Sequence, residues 1–269
     1  LPSSTKCISK NEIQNCDSLK EIELPSLIEF IGENAFYHCV SLKKIVIPPL
    51  VKTIDSQAFY FCAKLSEVSI PSSVTSIKPY AFGGCSSLTE IKLPPSLTSI
   101  SAGTFYACQL LTKIELPPSL ISIENDAFSG CELLSEIELP DSLISIGSCA
   151  FKGCKSLKTI NLPNSLKSIG SEAFTVCTNL KSITFPPSAT SLYEGLFNQC
   201  IGLEQIILPP SLNTISNSLF CQCTSLKKII IPKTVTCFGN NSFEGCIKLQ
   251  QITIHSSVTS IGDLCFASC

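Results

Sequence analysis

Residues 88–100 read Leu88-Thr89-Glu90-Ile91-Lys92-Leu93-Pro94-Pro95-Ser96-Leu97-Thr98-Ser99-Ile100, an L-x-x-I-x-L-P run joined to a second short extended piece. Ile91 and Leu93 are two apart, so they share one face of a strand while Glu90 and Lys92 share the other. Such a strand buries one face only. Pro94 removes a ladder donor, which ends the strand and turns the chain. The Ser96 hydroxyl stands where it can bond turn amides that a tight corner leaves unpaired. Leu97 and Ile100 then supply two more buried positions.

The same run recurs on both sides with a 23-residue period. Its strand equivalents include Leu19/Ile22/Leu24, Leu42/Ile45/Ile47, Leu157/Ile160/Leu162 and Leu226/Ile229/Ile231. The second piece gives the columns Ile28/Val51/Val74/Leu97 and Ile31/Ile54/Ile77/Ile100. Each unit closes on Ala-Phe-x-x-Cys, as in Ala35-Phe36-Tyr37-His38-Cys39, which reads as a single helical turn with Phe and Cys on one side. Cysteine keeps the beat twelve times from Cys16 to Cys269, and phenylalanine precedes it by three from Phe36 to Phe266, with Ile13 at the first station. A period of this length is the signature of a stacked solenoid, in which no repeat buries its apolar stripe alone. Parallel strands about 4.8 Å apart make the stack a rod or arc roughly 50 Å long.

Residues 1–269 are therefore expected to form one elongated domain of eleven to twelve repeats, acting as a monomer. A formal net charge of −2 predicts neither a nucleic-acid footprint nor a polybasic membrane patch. A proline or a charge interrupts every repeat, so no apolar run reaches the ~20 residues of a spanning helix. The chain contains no methionine and neither end has a polar capping unit, which marks it as a piece of a longer protein.

The L-x-x-I-x-[LI]-P-x-S-[LV]-x-x-I run joined to A-F-x-x-C resembles the leucine-rich repeat superfamily, and within it the 23-residue BspA-like class. The resemblance covers the whole chain. It implies an α/β repeat solenoid: a right-handed superhelix with a parallel concave β-sheet and short helical turns on the convex side. It also implies a surface-exposed or secreted protein associated with adhesion, partnered by a protein or glycan. His255 replaces a proline, and the other departures fall between 185 and 240, where Phe185 and Phe238 replace isoleucines, Ala189 an aliphatic, and Leu196 and Leu219 the alanine. Repacking around larger side chains is expected there.

Of seventeen cysteines, twelve sit at one repeat position, where a free thiol behaves as a small hydrophobe. Side chains pointing in parallel disfavour the torsion a disulfide needs. Cys7, Cys149, Cys221, Cys237 and Cys265 fall off this column without an obvious partner, so mostly free thiols are expected. Zinc needs four converging ligands, and the two histidines, His38 and His255, lie about nine repeats apart, so no metal or other cofactor is expected. No nucleotide-binding or hydrolase motif occurs, and His38 beside Cys39 is the one base–thiol neighbour, with the two pointing to different sides of a turn. A non-enzymatic protein is the reading, with a hydrolase dependent on His38 as the remote alternative.

Surface then carries the function. The N-terminal half of the strand face is a Glu/Lys mosaic that suits cross-strand pairing and solubility. In its neutral C-terminal half, Ile207 and Ile230 face outward in consecutive strands, bordered by Gln205, Lys228, Thr184 and Thr253. This is the first candidate ligand surface, against the alternative of plain strand propensity. Tyr37, Tyr60 and Tyr106 follow their repeat Phe on the opposite side, a row broken at Gly83, and either anchor a partner or cover the shoulder of their own repeat. Asn240-Asn241-Ser242 is the single glycosylation sequon. An intracellular interaction scaffold stands as the alternative to a surface adhesin, since free thiols suit a reducing compartment.

Overall fold

The computed structural model describes residues 1–269 as a stack of parallel two- and three-residue strands linked by turns. Each strand pairs with its counterpart 23 positions away: Lys44 with Glu67, Glu90 with Lys113, Thr159 with Ser182, and Ser182 with Gln205. The register is set by the period, because a slip by one residue would turn every apolar side chain outward. Ile45 and Ile91, at the centres of two such strands, are buried.

The second extended piece is also a paired strand. Cys7–Ile8, Phe30–Ile31, Thr53–Ile54 and Ser76–Ile77 form one parallel ladder. Ser99–Ile100 through Ser168–Ile169 form another, and Thr214–Ile215 through Ser260–Ile261 a third. The repeat thus has a corner, with a short strand on each side of its proline. Corner serines donate rather than accept: Ser96 Oγ reaches the Val74 carbonyl at 3.1 Å, and Ser165 Oγ the Leu143 carbonyl at 2.6 Å. The expectation that they would cap turn amides is corrected, because a hydroxyl here faces the carbonyls of the preceding repeat.

The Ala-Phe-x-x-Cys segment is not a helical turn; the chain contains no helix. Two residues in each repeat hold left-handed backbone, the one before Ala and the one before Cys, as Asn34 (φ 55°) and His38 (φ 59°) do. Left-handed residues at that spacing break a helix into tight turns. Within the segment Tyr37 N–H donates to Asn34 O and Cys39 N–H to Phe36 O, while Phe36 N–H and His38 N–H reach the next repeat at Ala58 O and Tyr60 O, both 2.7 Å. A helix would spend all these donors internally. Here every second one ties repeat to repeat.

The core is one continuous apolar cluster built from several stacked columns. Eleven phenylalanines from Phe36 to Phe266 stack with successive centroids 5.1–6.2 Å apart, most of them within 13° of parallel. Burying each such ring contributes about 1.5–3 kcal/mol. The repacked region is visible: Leu196 and Leu219 are fully buried, the Phe185 ring stands edge-on to Phe197 at 6.0 Å, and Phe238 packs on Phe243 and Phe266. Strand pairing of the second ladder lapses in that same region, between Ile169 and Thr214.

Candidate functional site

The cysteine column lies beside the phenylalanines, and every thiol in it from Cys39 to Cys269 has a partner. Cys62 Sγ donates to Phe36 O at 3.2 Å, Cys85 to Phe59 O at 3.3 Å, and the same 26-residue offset continues to Cys269 and Phe243. Burial raises these thiols well above the ordinary range; Cys108 and Cys200 are pushed up to about 12. A thiol held protonated in this way is a poor nucleophile. His38 and Cys39 diverge: the imidazole is exposed with Nδ1 3.6 Å from Asp17, whereas Cys39 Sγ bonds Ile13 O inside the stack. Off the column, Cys221 approaches the Glu244 carboxylate at 3.9 Å and Cys265 lies 3.1 Å from Ser242 Oγ. Ser242 is completely buried, and Asn240 Oδ1 accepts from the Asp263 N–H, so the sequon residues serve contacts between repeats.

On the strand face, Ile207 and Ile230 are the most exposed large apolar side chains of the protein, at 67% and 71%. Gln205, Lys228, Thr184 and Thr253 around them are exposed as well. The two isoleucines are not neighbours in one sheet: Ile207 pairs with Thr184 at the last position of its strand, and 228–230 are outside any strand. Between the two repeats the Lys227 N–H reaches Glu204 O at a long 3.5 Å, so the ladder loosens here. In the N-terminal half, Lys44 and Glu67 pair across strands at 2.9 Å, an exposed contact of small energetic weight.

The tyrosine row differs from its reading in the sequence. Gly83 does not interrupt it; a Cβ there would lie 2.7 Å from Tyr60 Cε2, so the glycine makes room for the Tyr60 ring. Tyr80, from a different repeat position, fills the gap. Centroids run Tyr37 to Tyr60 at 5.8 Å, Tyr60 to Tyr80 at 5.8 Å and Tyr80 to Tyr106 at 6.2 Å. Tyr80 carried a usable signal, since it is the one aromatic residue in a column of mostly small or polar residues.

The family profile for the BspA type leucine-rich repeat region matches residues 1–110, 52–166, 98–220 and 145–269. The chain belongs to the BspA-type leucine-rich repeat family. Leucine-rich repeat families are in general binding scaffolds without a catalytic domain. A leucine-rich repeat protein from Bacteroides ovatus is 34% identical with a TM-score of 0.89, over 100% of this BspA-type chain and 69% of its own. A leucine-rich cell surface protein from Faecalibacterium prausnitzii is 31% identical with a TM-score of 0.70, covering 98% and 80% of the two chains. The pneumococcal vaccine antigen PcpA shares the fold at 23% identity and a TM-score of 0.63, over 97% of this chain and 72% of its own. No curated protein matches the chain significantly.

Proposed function

We propose that this BspA-type chain is a recognition module of a surface-exposed or secreted protein, and that it docks a macromolecular partner, protein or glycan, on the strand face around Ile207 and Ile230. The observation that carries the reading is the exposure of these two side chains, the highest of any large apolar residue, within a rim of Gln205, Lys228, Thr184 and Thr253. An apolar centre with a polar rim is how interface energy is commonly arranged. A stacked scaffold presents that surface pre-ordered, so little ordering entropy opposes binding. The cell-surface description of the Faecalibacterium relative supports the location.

The test is adherence of beads carrying the chain to fixed epithelial cells and to immobilised matrix protein. Ile207→Lys with Ile230→Lys leaves the stack folded, because neither side chain fills the core, and weakens adherence by about 2 kcal/mol or more. Glu21→Lys with Glu23→Lys alters mainly its salt dependence. A folded isoleucine double variant that adheres normally overturns the assignment. A second reading, an intracellular interaction scaffold, is favoured by one observation: all seventeen cysteines are free thiols. Recovery of the native protein from the cytoplasmic fraction would decide for it.

A further inference from the structure

The aromatic row on the turn face was not fully legible as a site in the sequence, and its construction goes beyond shoulder packing. Tyr37, Tyr60, Tyr80 and Tyr106 come from four successive repeats, so one phenol follows another along the stack axis at 5.8–6.2 Å. The rings are partly exposed, and none of their hydroxyls hydrogen-bonds within the chain. Phe61 flanks the row, its ring 4.4 Å from that of Tyr60.

Two further observations mark the row as built. Tyr80 and Phe61 both hold left-handed backbone (φ 57°), in two columns that elsewhere carry mostly small or polar residues. A bulky side chain in that region costs of order 1 kcal/mol, and nothing in the core requires an aromatic there. In addition, Gly83, Gly84 and Gly103 lie directly under the rings of Tyr60, Phe61 and Tyr80, where any Cβ would collide with them. The rings therefore lie down on backbone instead of standing away from it.

Charge then selects the partner. In the three turn columns of these four repeats (before Ala, after Phe and before Cys) there is no Asp, Glu, Lys or Arg. The next repeats return to charge with Asp126, Lys152 and Glu172 in the same columns. Charge reaches only the two ends of the row, at His38, which faces Asp17, and at Asp126 near Tyr80, so neither a polyanion nor a basic peptide finds a continuous line of counter-charge. A proline-rich helix offers equivalent faces only once per turn, about 9 Å apart, which does not match one ring every 6 Å. Successive sugars of an extended glycan follow at about one ring length, present C–H faces to aromatic rings, and offer hydroxyls to the free phenols.

We infer that the row Tyr37–Tyr60–Tyr80–Tyr106, with Phe61 alongside, is a binding site for an extended, uncharged glycan lying along the stack axis. The site is separate from the isoleucine surface, so the two readings stand or fall independently.

The chain has no tryptophan and only five tyrosines, four of them in the row, so intrinsic tyrosine fluorescence reports the site directly. The experiment titrates the whole chain with cello-, xylo-, manno- and laminari-hexaose, and with a decaproline peptide. Saturable quenching by at least one hexaose is expected. Tyr60→Ala with Tyr106→Ala should weaken it about tenfold or more, while Tyr193→Ala, the one tyrosine elsewhere, leaves affinity unchanged. If the alanine pair misfolds by circular dichroism, Tyr60→Lys alone places a charge in the row and serves instead. Failure of all four hexaoses to bind at millimolar concentration overturns the inference. So does binding of decaproline in their place, or sugar binding that survives the tyrosine substitutions.

Discussion

The Cys131 thiol donates to the Phe105 carbonyl across 3.2 Å, and the same carbonyl accepts the Cys108 N–H at 3.1 Å. One turn carbonyl thus closes its own repeat through a backbone donor and fastens the following repeat through a side chain. Cysteine suits the position because it is small, apolar enough for a fully buried site, and still a donor. Alanine would leave that second lone pair unused.

This arrangement makes stability depend on alkaline pH. An unfolded thiol ionises near 9.0, whereas burial pushes Cys108 and Cys200 up to about 12 and Cys131 well above its ordinary value. Above pH 9 the unfolded chain therefore binds fewer protons than the native one, so stability is complete below that pH and declines as pH rises toward the native values. Each such thiol withdraws about 1.4 kcal/mol per pH unit in that window. Urea melts between pH 7 and 11 should show a flat region followed by a steep fall. Cys131→Ala should fall less steeply, by one proton. Stability that stays level to pH 11 would contradict buried, protonated thiols.

Thiol titration of unfolded, unreduced protein should find at least the twelve cysteines of the column free. Native protein should react at few sites, chiefly the exposed Cys7 and Cys269. Extensive oxidation of the column would contradict the bonds to carbonyls and favour a disulfide scaffold.

Phe128 is fully buried between Phe105 and Phe151, with centroids at 5.5 and 5.4 Å. Phe128→Ala opens a cavity in the middle of the stack and should cost about 3–5 kcal/mol by denaturant melt. A near-neutral result would show that the stack closes over the gap.

Val176 is a β-branched residue in left-handed backbone (φ 61°), at a column where Gly130, Gly153 and Gly245 also occur. Relief of about 1–2 kcal/mol of strain exceeds the roughly 0.5–1 kcal/mol entropic cost of glycine. Val176→Gly should therefore raise the melting temperature slightly. Gly153→Ala is the converse: a Cβ there has ordinary van der Waals room, so its destabilisation would measure backbone strain alone. Opposite signs for the two substitutions are required.

The period, the strand register and the inward columns were legible in the sequence because each rests on local sterics repeated in phase: proline ends a strand, alternation chooses its face, and a one-residue slip is forbidden. Ile207 and Ile230 could be placed outward by the same alternation. The helical turn expected in Ala-Phe-x-x-Cys failed because i, i+3 spacing is common to a helix and to successive tight turns. Only the neighbouring repeat, by taking the N–H groups of Phe36 and His38, favours the turns. The direction of the serine bonds was likewise decided by which groups the stack brings opposite them. Tyr80 joined the tyrosine row for the same reason: it sits at another repeat position, and its ring reaches Tyr60 and Tyr106 only when Gly83 and Gly103 clear the space. Sequence fixes what each repeat does alone. Contacts between repeats, which have no local signature, are set by the stacked structure.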